Sequence, residues 1–247
     1  MIPAPPALRL AWWGTAWLRG QVVADLMLDA VIDQDATHTV SGLGGLGLGG
    51  DPEAAETLIG GLGRLRAEGT TLLGVAHPAE GDAVGLGGPP AFNHAALEAG
   101  EAVVSDAGIG LVPVRVGAVI GWHAYAAQRR QLPDVGEADR GLRQALVEST
   151  QALADLDVAR WRPEVADRLM NLRHRTTLQA APGVPPRCVE LAERGLQAAE
   201  IVALALEDEG AAVSAYEMSA RRDALVPLDR AARRALTAAG SPEVWPH

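Results

Sequence analysis

Six histidines, one cysteine, 31 carboxylates and 21 basic residues are the groups with which this 247-residue chain can do chemistry. Every basic residue is arginine, and the absence of lysine removes whole chemistries. A Schiff base with a carbonyl substrate or with pyridoxal phosphate needs a lysine amine, so a PLP site is excluded. A Walker A nucleotide site is excluded too, because its loop needs the lysine that reaches the phosphates. With Cys188 alone, no intramolecular disulfide and no thiolate-rich zinc or iron–sulfur site can form. Cys188 follows Arg187 at a helix start, a setting that can activate a thiol, but a small buried cysteine is the favoured reading. No G-x-S-x-G elbow surrounds any serine. No cofactor is predicted.

Two glycine- and proline-rich stretches are the candidate ligand loops. Gly42 to Gly50 holds six glycines in nine residues, and Gly42, Gly44 and Gly47 fit G-x-G-x-x-G. Such a loop lets backbone amides approach a phosphate at a helix N-terminus, here with Asp51-Pro52 opening the helix. Asp51 would repel an anion there, so a flexible loop is the alternative. The second stretch, Pro78 to Pro90, is long for a compact domain, and such loops act as lids or binding loops. It is bracketed by His77 and by Asn93-His94, with Glu80 and Asp82 inside it. His77, Glu80 and His94 are the acid–base candidates, and Asn93 is a natural N-cap.

His94 and Glu98, four apart on one helix face, are the metal-ligand alternative, although His38, His77, His123 and His174 carry no spacing that completes the set. Arg168, Asn171, His174 and Arg175 lie close together on one predicted helix and form a candidate anion clamp, because arginine forks recognise carboxylate and phosphate in bidentate fashion. Cations near a helix C-terminus, complementing its dipole, are the plainer explanation. Asp25, Asp29 and Asp33 form an acidic stripe that an arginine or a divalent cation must offset. The aromatic complement is skewed to six tryptophans against two Tyr and one Phe. They are core cement by default and a subunit contact otherwise, with Trp12-Trp13 and Trp245 able to pin the two ends of the chain.

The elements that must position these groups fall into two textures. Residues 1–131 read as an α/β portion with Gly/Pro-rich loops, and residues 132–247 as a helical portion, with a single shared-core domain as the alternative. In the first, an apolar helical face runs from Leu18 to Val31, and a helix from Asp51 to about Arg66. A short helix covers 93–99. Strands are expected at 37–41, 70–76, 101–105, 111–116 and 118–125. In the second, Leu142, Leu146, Leu153 and Leu156 mark one helix, and Pro163 opens another. A long helix from Arg187 is apolar on every side at Ile201–Leu206, and Ser214 with Glu217 caps a last helix interrupted at Pro227. The expected fold is α+β: an N-terminal α/β layer of short strands with a C-terminal antiparallel helical bundle packed against it.

Net charge is −10 with a pI near 5.0, which excludes generic binding to nucleic acid or anionic membranes. The N-terminus lacks the basic start and apolar run of a signal peptide, and no stretch is long enough to span a bilayer. The expectation is a soluble cytoplasmic protein of unassigned function. It acts either by self-association or through a protein partner, or by binding a small anionic ligand at its glycine-rich loops.

Overall fold

The computed structural model describes residues 3–51, 54–128, 130–155, 177–207 and 215–246. The fold is α+β, as the sequence predicts. Helix α1 (Pro6–Leu18) opens with proline in its first turn, where the missing N–H costs nothing. It is buried on almost every side. Helix α2 (Ala24–Ile32) follows a break at Arg19–Val23, where Gly20 takes a positive φ of 72°. The continuous helix expected over 18–31 is therefore two helices, with the turn set by a residue that alone adopts this φ cheaply.

A six-stranded sheet is built from β1 (Thr37–Ser41), β2 (Glu56–Thr57), β3 (Leu73–Ala76), β4 (Ala102–Ser105), β5 (Ile109–Val116) and β6 (Val119–Ala126), in the order β2-β1-β6-β5-β4-β3. Four strands form an antiparallel meander, and β1 joins β6 in parallel. Helix α3 (Leu58–Ala67) begins seven residues later than expected. Thr57, not Asp51, caps it by accepting from Gly60 N–H at 3.2 Å. Helix α4 (Pro90–Ala99) begins three residues earlier than expected, with Pro90 at its first position.

Helices α1 to α3 and the core side chains of the sheet share one apolar cluster with the second half of the chain, which contributes α5 (Val135–Asp155), α6 (Pro186–Glu207) and α7 (Ala215–Ala239). Leu142 is fully buried and Leu146 partly so, while Leu156 lies outside the described residues. Residues 201–206 are not apolar-packed all round: Val202, Leu204 and Ala205 are buried, but Leu206 is 42% exposed. The helix is therefore amphipathic rather than central. Helix α7 runs through Pro227. The second predicted helix, from Pro163, and Ser214 lie outside the described residues. Phe92 and Ala96 of α4 form a smaller cluster on the opposite sheet face with Val104 and Val112.

The five described tryptophans are core cement, and Trp161 lies outside the described residues. Trp12, Trp13 and Trp122 are buried, and Trp17 and Trp245 pack against the core. The indoles of Trp12 and Trp245 both donate to the Ala239 carbonyl at the end of α7, at 3.1 and 3.0 Å. The two ends of the chain are pinned together there.

Among the described residues no strand lies beside the outer edge of β3, yet its polar groups are met. Leu73 N–H donates to Thr15 Oγ1, which donates back to the Leu73 carbonyl. Val75 N–H donates to the Gly240 carbonyl and Ser241 Oγ, and His77 N–H donates to Thr237 Oγ1 at 3.2 Å. A buried donor stripped of its partner costs about 1–3 kcal/mol. Thr237→Val, which keeps the side-chain shape, should lower unfolding free energy by roughly that amount in urea denaturation. Unchanged stability would show that this bond does not close the edge.

Candidate functional site

The loop from Pro78 to Pro90 carries the most concentrated polar chemistry described in the molecule. It leaves β3 through His77 and turns at once: Ala79 and Asp82 exchange backbone hydrogen bonds at 2.9 Å, with Gly81 at positive φ in the turn. Glu80 is thereby left exposed at the turn, while Asp82 is directed inward and buried. The chain then passes Gly85, whose φ is +80° and where a Cβ would stand 2.8 Å from the Ala76 backbone. It closes at the cis Gly88–Pro89 bond.

Asp82 meets three guanidinium groups from one face of α7. Arg234 Nη2 lies 3.1 Å from Oδ1, and Arg233 Nη1 and Arg230 Nε lie 3.4 and 3.6 Å from Oδ2. Arg233 also pairs with Asp229 one turn back, at 3.0 Å. Residues 230, 233 and 234 share a face because i+3 and i+4 neighbours do so on a helix. That spacing is present in the sequence as Arg-Ala-Ala-Arg-Arg, but nothing local links it to an aspartate about 150 residues earlier. A cleft of about 640 Å³ opens beside the cluster, lined by Asp82, Val84 and Leu86 of the loop, Arg234 of α7, and Gln131 and Glu137.

The residues singled out from sequence are separated. His77 is buried, and Nε2 has no hydrogen-bond partner. Burial first, and the nearby Arg233 guanidinium second, bring its pKa down to about 4 against a weaker pull from the Gly100 carbonyl, so it is a neutral imidazole at neutral pH. Asn93 is not the N-cap of α4. It sits in the first turn, where Oδ1 accepts from Gly88 N–H at 2.9 Å and braces the loop. His94 faces solvent, 3.4 Å from the equally exposed Glu98. Among the described residues no three His, Cys, Asp or Glu side chains gather as a metal site. Arg168, Asn171, His174 and Arg175 lie outside the described residues.

The glycine loop differs from a phosphate cradle. Gly44 lies in a 3-10 turn that Gly47 ends in the left-handed region, and β2 separates the loop from α3. No helix N-terminus follows it directly. The room at Gly49 and Gly50 is taken by Arg64, which donates to the Leu48 carbonyl at 3.3 Å and pairs with Glu56.

The other histidines and acids have structural work. Trp122 Nε1 donates to His38 Nδ1 at 3.2 Å, so His38 carries its proton on Nε2 and donates it to Asp35 at 3.0 Å. Asp35 also binds Arg9 and Arg115, at 2.8 and 2.7 Å. Burial opposes its charge, but the bonds from Arg115, His38 and Arg9 outweigh it and hold the carboxyl at about 2. Arg9 reaches Asp33 as well, and its guanidinium offsets one member of the acidic stripe. His123, exposed on the sheet, pairs with Ser41 at 3.1 Å. Cys188 is buried, which pushes its thiol up to about 11.

Profiles of two domains match the chain: the N-terminal domain of the Rv1486c-like proteins over residues 7–138, and their C-terminal domain over 136–237. The chain belongs to the Rv1486c-like family. Among its relatives is the uncharacterized protein Rv1486c of Mycobacterium tuberculosis (strain ATCC 25618 / H37Rv). It is 28% identical over 289 aligned positions, which take in 98% of this chain and 99% of the relative. The uncharacterized protein MT1533 of strain CDC 1551 / Oshkosh matches with the same identity and coverage. No solved structure matches. The family's descriptions state no activity, so function rests on the site itself.

Two groups give opposite dependences of stability on pH. His77, held near 4 when folded against 6.5 when free, contributes stability above about 6.5 that is lost as pH falls toward 4. Glu101 accepts from Ala7 N–H in the first turn of α1, and burial outweighs this bond and the pull of Arg9 and Arg115, raising its pKa to about 7. Its contribution is complete below 4.5 and is lost as pH rises through 7. The two windows overlap with opposite signs, so urea denaturation across pH 4 to 8 should show that, relative to the wild type, His77→Gln gains stability as pH falls from 6.5 to 4 and Glu101→Gln gains it as pH rises from 4.5 to 7. An unaltered profile in either variant would contradict that group's assigned environment.

Proposed function

We propose that this protein binds a small anionic ligand in the cleft between the 78–90 loop and α7. The observation that carries the reading is the charge balance at Asp82. Three guanidiniums face Asp82 and Asp229, which leaves one positive charge uncompensated within the cluster. Arg234, which lines the cleft, and Arg230, one turn before it on the same face, keep about half of their side-chain surface exposed, at 47% and 50%. Arginine presents a planar fork suited to carboxylate or phosphate. The reading supplies no nucleophile and no general acid. It is a binding function in a reducing cytoplasm, with which the buried, unpaired Cys188 is compatible.

A ligand that binds only the folded state raises its stability as concentration exceeds Kd, by about 2.7 kcal/mol at a hundredfold excess. Inorganic phosphate and citrate should therefore raise the melting temperature of the wild-type chain. They should do so much less for an Arg230→Ala/Arg234→Ala variant, in which Arg233 still holds Asp82. Equal shifts in both proteins, or no shift in the wild type with any small anion, would overturn the reading.

Self-association is a second reading, favoured by one feature of the sheet. Helix α4 covers Val112, but farther along the same face of β5 nothing among the described residues covers Val114 and Val116, which are 54% and 71% exposed. The register sets this strip beside Val119, Gly121 and His123 of β6, and these in turn beside Thr37, Thr39 and Ser41 of β1. Two copies laid face to face across this strip would form an isologous dimer. Sedimentation velocity should then show a dimer that Val114→Asp/Val116→Asp converts to a monomer. A monomeric wild type at high concentration would eliminate it.

A further inference from the structure

The cleft beside Asp82 adjoins a smaller recess of about 120 Å³ between α5 and α7, and the two share Pro133, Glu137 and Arg234 as walls. Their chemistry differs. The remaining walls of the recess are Ala138 and Gly141 of α5 and Ala231 of α7, none of which carries a polar side chain. On the cleft side Val84, Leu86 and Leu132 add apolar surface. Arg234 stands where the two cavities meet. Among the described residues its guanidinium is paired only through Nη2, with Asp82 Oδ1 at 3.1 Å, and 47% of its side chain is exposed. Nη1 and Nε are left to donate at the boundary between charged and apolar surface.

Gly141 keeps the recess open. It sits in the interior of α5, where glycine is less favourable than alanine. Its φ is not in the left-handed region, and a Cβ there would meet nothing within 4 Å, so neither backbone conformation nor crowding calls for glycine. The charges set the head group of a ligand and the recess sets its tail. One positive charge is uncompensated among Arg230, Arg233 and Arg234, and a single carboxylate balances it. Glu137 adds a negative wall to both cavities, which disfavours a second charge on the ligand. Phosphate and citrate engage the arginines alone, whereas an alkyl chain also removes apolar wall from water. Resting on the anion-binding reading, we infer that the ligand is a monocarboxylate with a short alkyl chain: its carboxylate on Arg234, its chain in the recess between α5 and α7.

The test is calorimetric titration of the full chain with phosphate, acetate, butyrate, hexanoate and hexan-1-ol. Each methylene removed from water should tighten binding about two- to fourfold, so hexanoate should bind roughly tenfold or more tightly than acetate. Hexan-1-ol, which keeps the chain and lacks the charge, should bind about tenfold more weakly than hexanoate. Gly141→Leu, which places a better helix former in the recess, should flatten the series from acetate to hexanoate. Equal binding of acetate and hexanoate by a chain that binds phosphate would overturn this inference and leave the anion reading standing. Hexan-1-ol binding as tightly as hexanoate, or a chain-length gain that persists in folded Gly141→Leu, would overturn it as well. Failure of phosphate and every carboxylate to bind would overturn both readings. If Gly141→Leu does not fold, the wild-type series decides alone.

Discussion

The outer edge of β3 is the constraint from which most of this molecule follows. A strand with no neighbour presents a row of unpaired donors and acceptors, which must be covered, paired or exposed to water. Here no strand is supplied. Thr15 from α1, Thr237, Gly240 and Ser241 from the end of α7, and the Arg130 guanidinium each take one portion of the edge. Helix α7 must therefore end beside β3, and its last carbonyl, on Ala239, is taken by indoles from both ends of the chain. Because the 78–90 loop departs from β3 at that point, it runs over the same helix, and Asp82 meets Arg230, Arg233 and Arg234. The cleft beside Asp82 opens at this junction.

How much of this was legible beforehand depended on range. Short β-branched runs located β1 and the strands near β3 to β6 within a few residues, because strand propensity is a local property. Proline and glycine marked α4, α6 and the end of α3 for the same reason. Legibility failed wherever a distant partner decided the outcome. Asp51-Pro52 has the form of a helix start, yet Glu56–Thr57 pairs with β1 and delays α3 to Leu58. Glu80 and Asp82 are alike in sequence, and only the tight turn between Ala79 and Asp82 exposes one and buries the other. The glycines at 42–50 resemble a phosphate loop, but β2 stands between them and α3, and Arg64, 14 residues beyond Gly50, packs against Gly49 and Gly50.

An all-arginine chain also shapes how its charges are used. Arg9, Arg130 and Arg233 each bridge two or more partners, with side-chain exposures of 11%, 4% and 15%. A planar, weakly hydrated fork can be placed so deeply, whereas a compact and strongly hydrated ammonium cannot without losing more solvation. Arg9 ties α1 to Asp33 and Asp35, and Arg130 ties β3 to Glu243. Each replaces several backbone contacts that a longer strand or helix would otherwise have to supply.

The polar groups near the junction are then of two kinds, and the difference separates scaffold from site. Asp35, His38 and Trp122 form a closed set, each hydrogen-bonded within the set or to Arg9 and Arg115. Such a set fixes geometry and has no capacity left for a ligand. Around β3 the accounting does not close: Arg130 keeps a buried donor and His77 a buried ring nitrogen without partners, and Arg230 and Arg234 keep exposed donors. The same shortfall occurs at the opposite end of the sheet, where Arg9 Nε is buried without a partner, so what sets the β3 junction apart is the exposed arginine surface beside Asp82 rather than an unfilled buried donor.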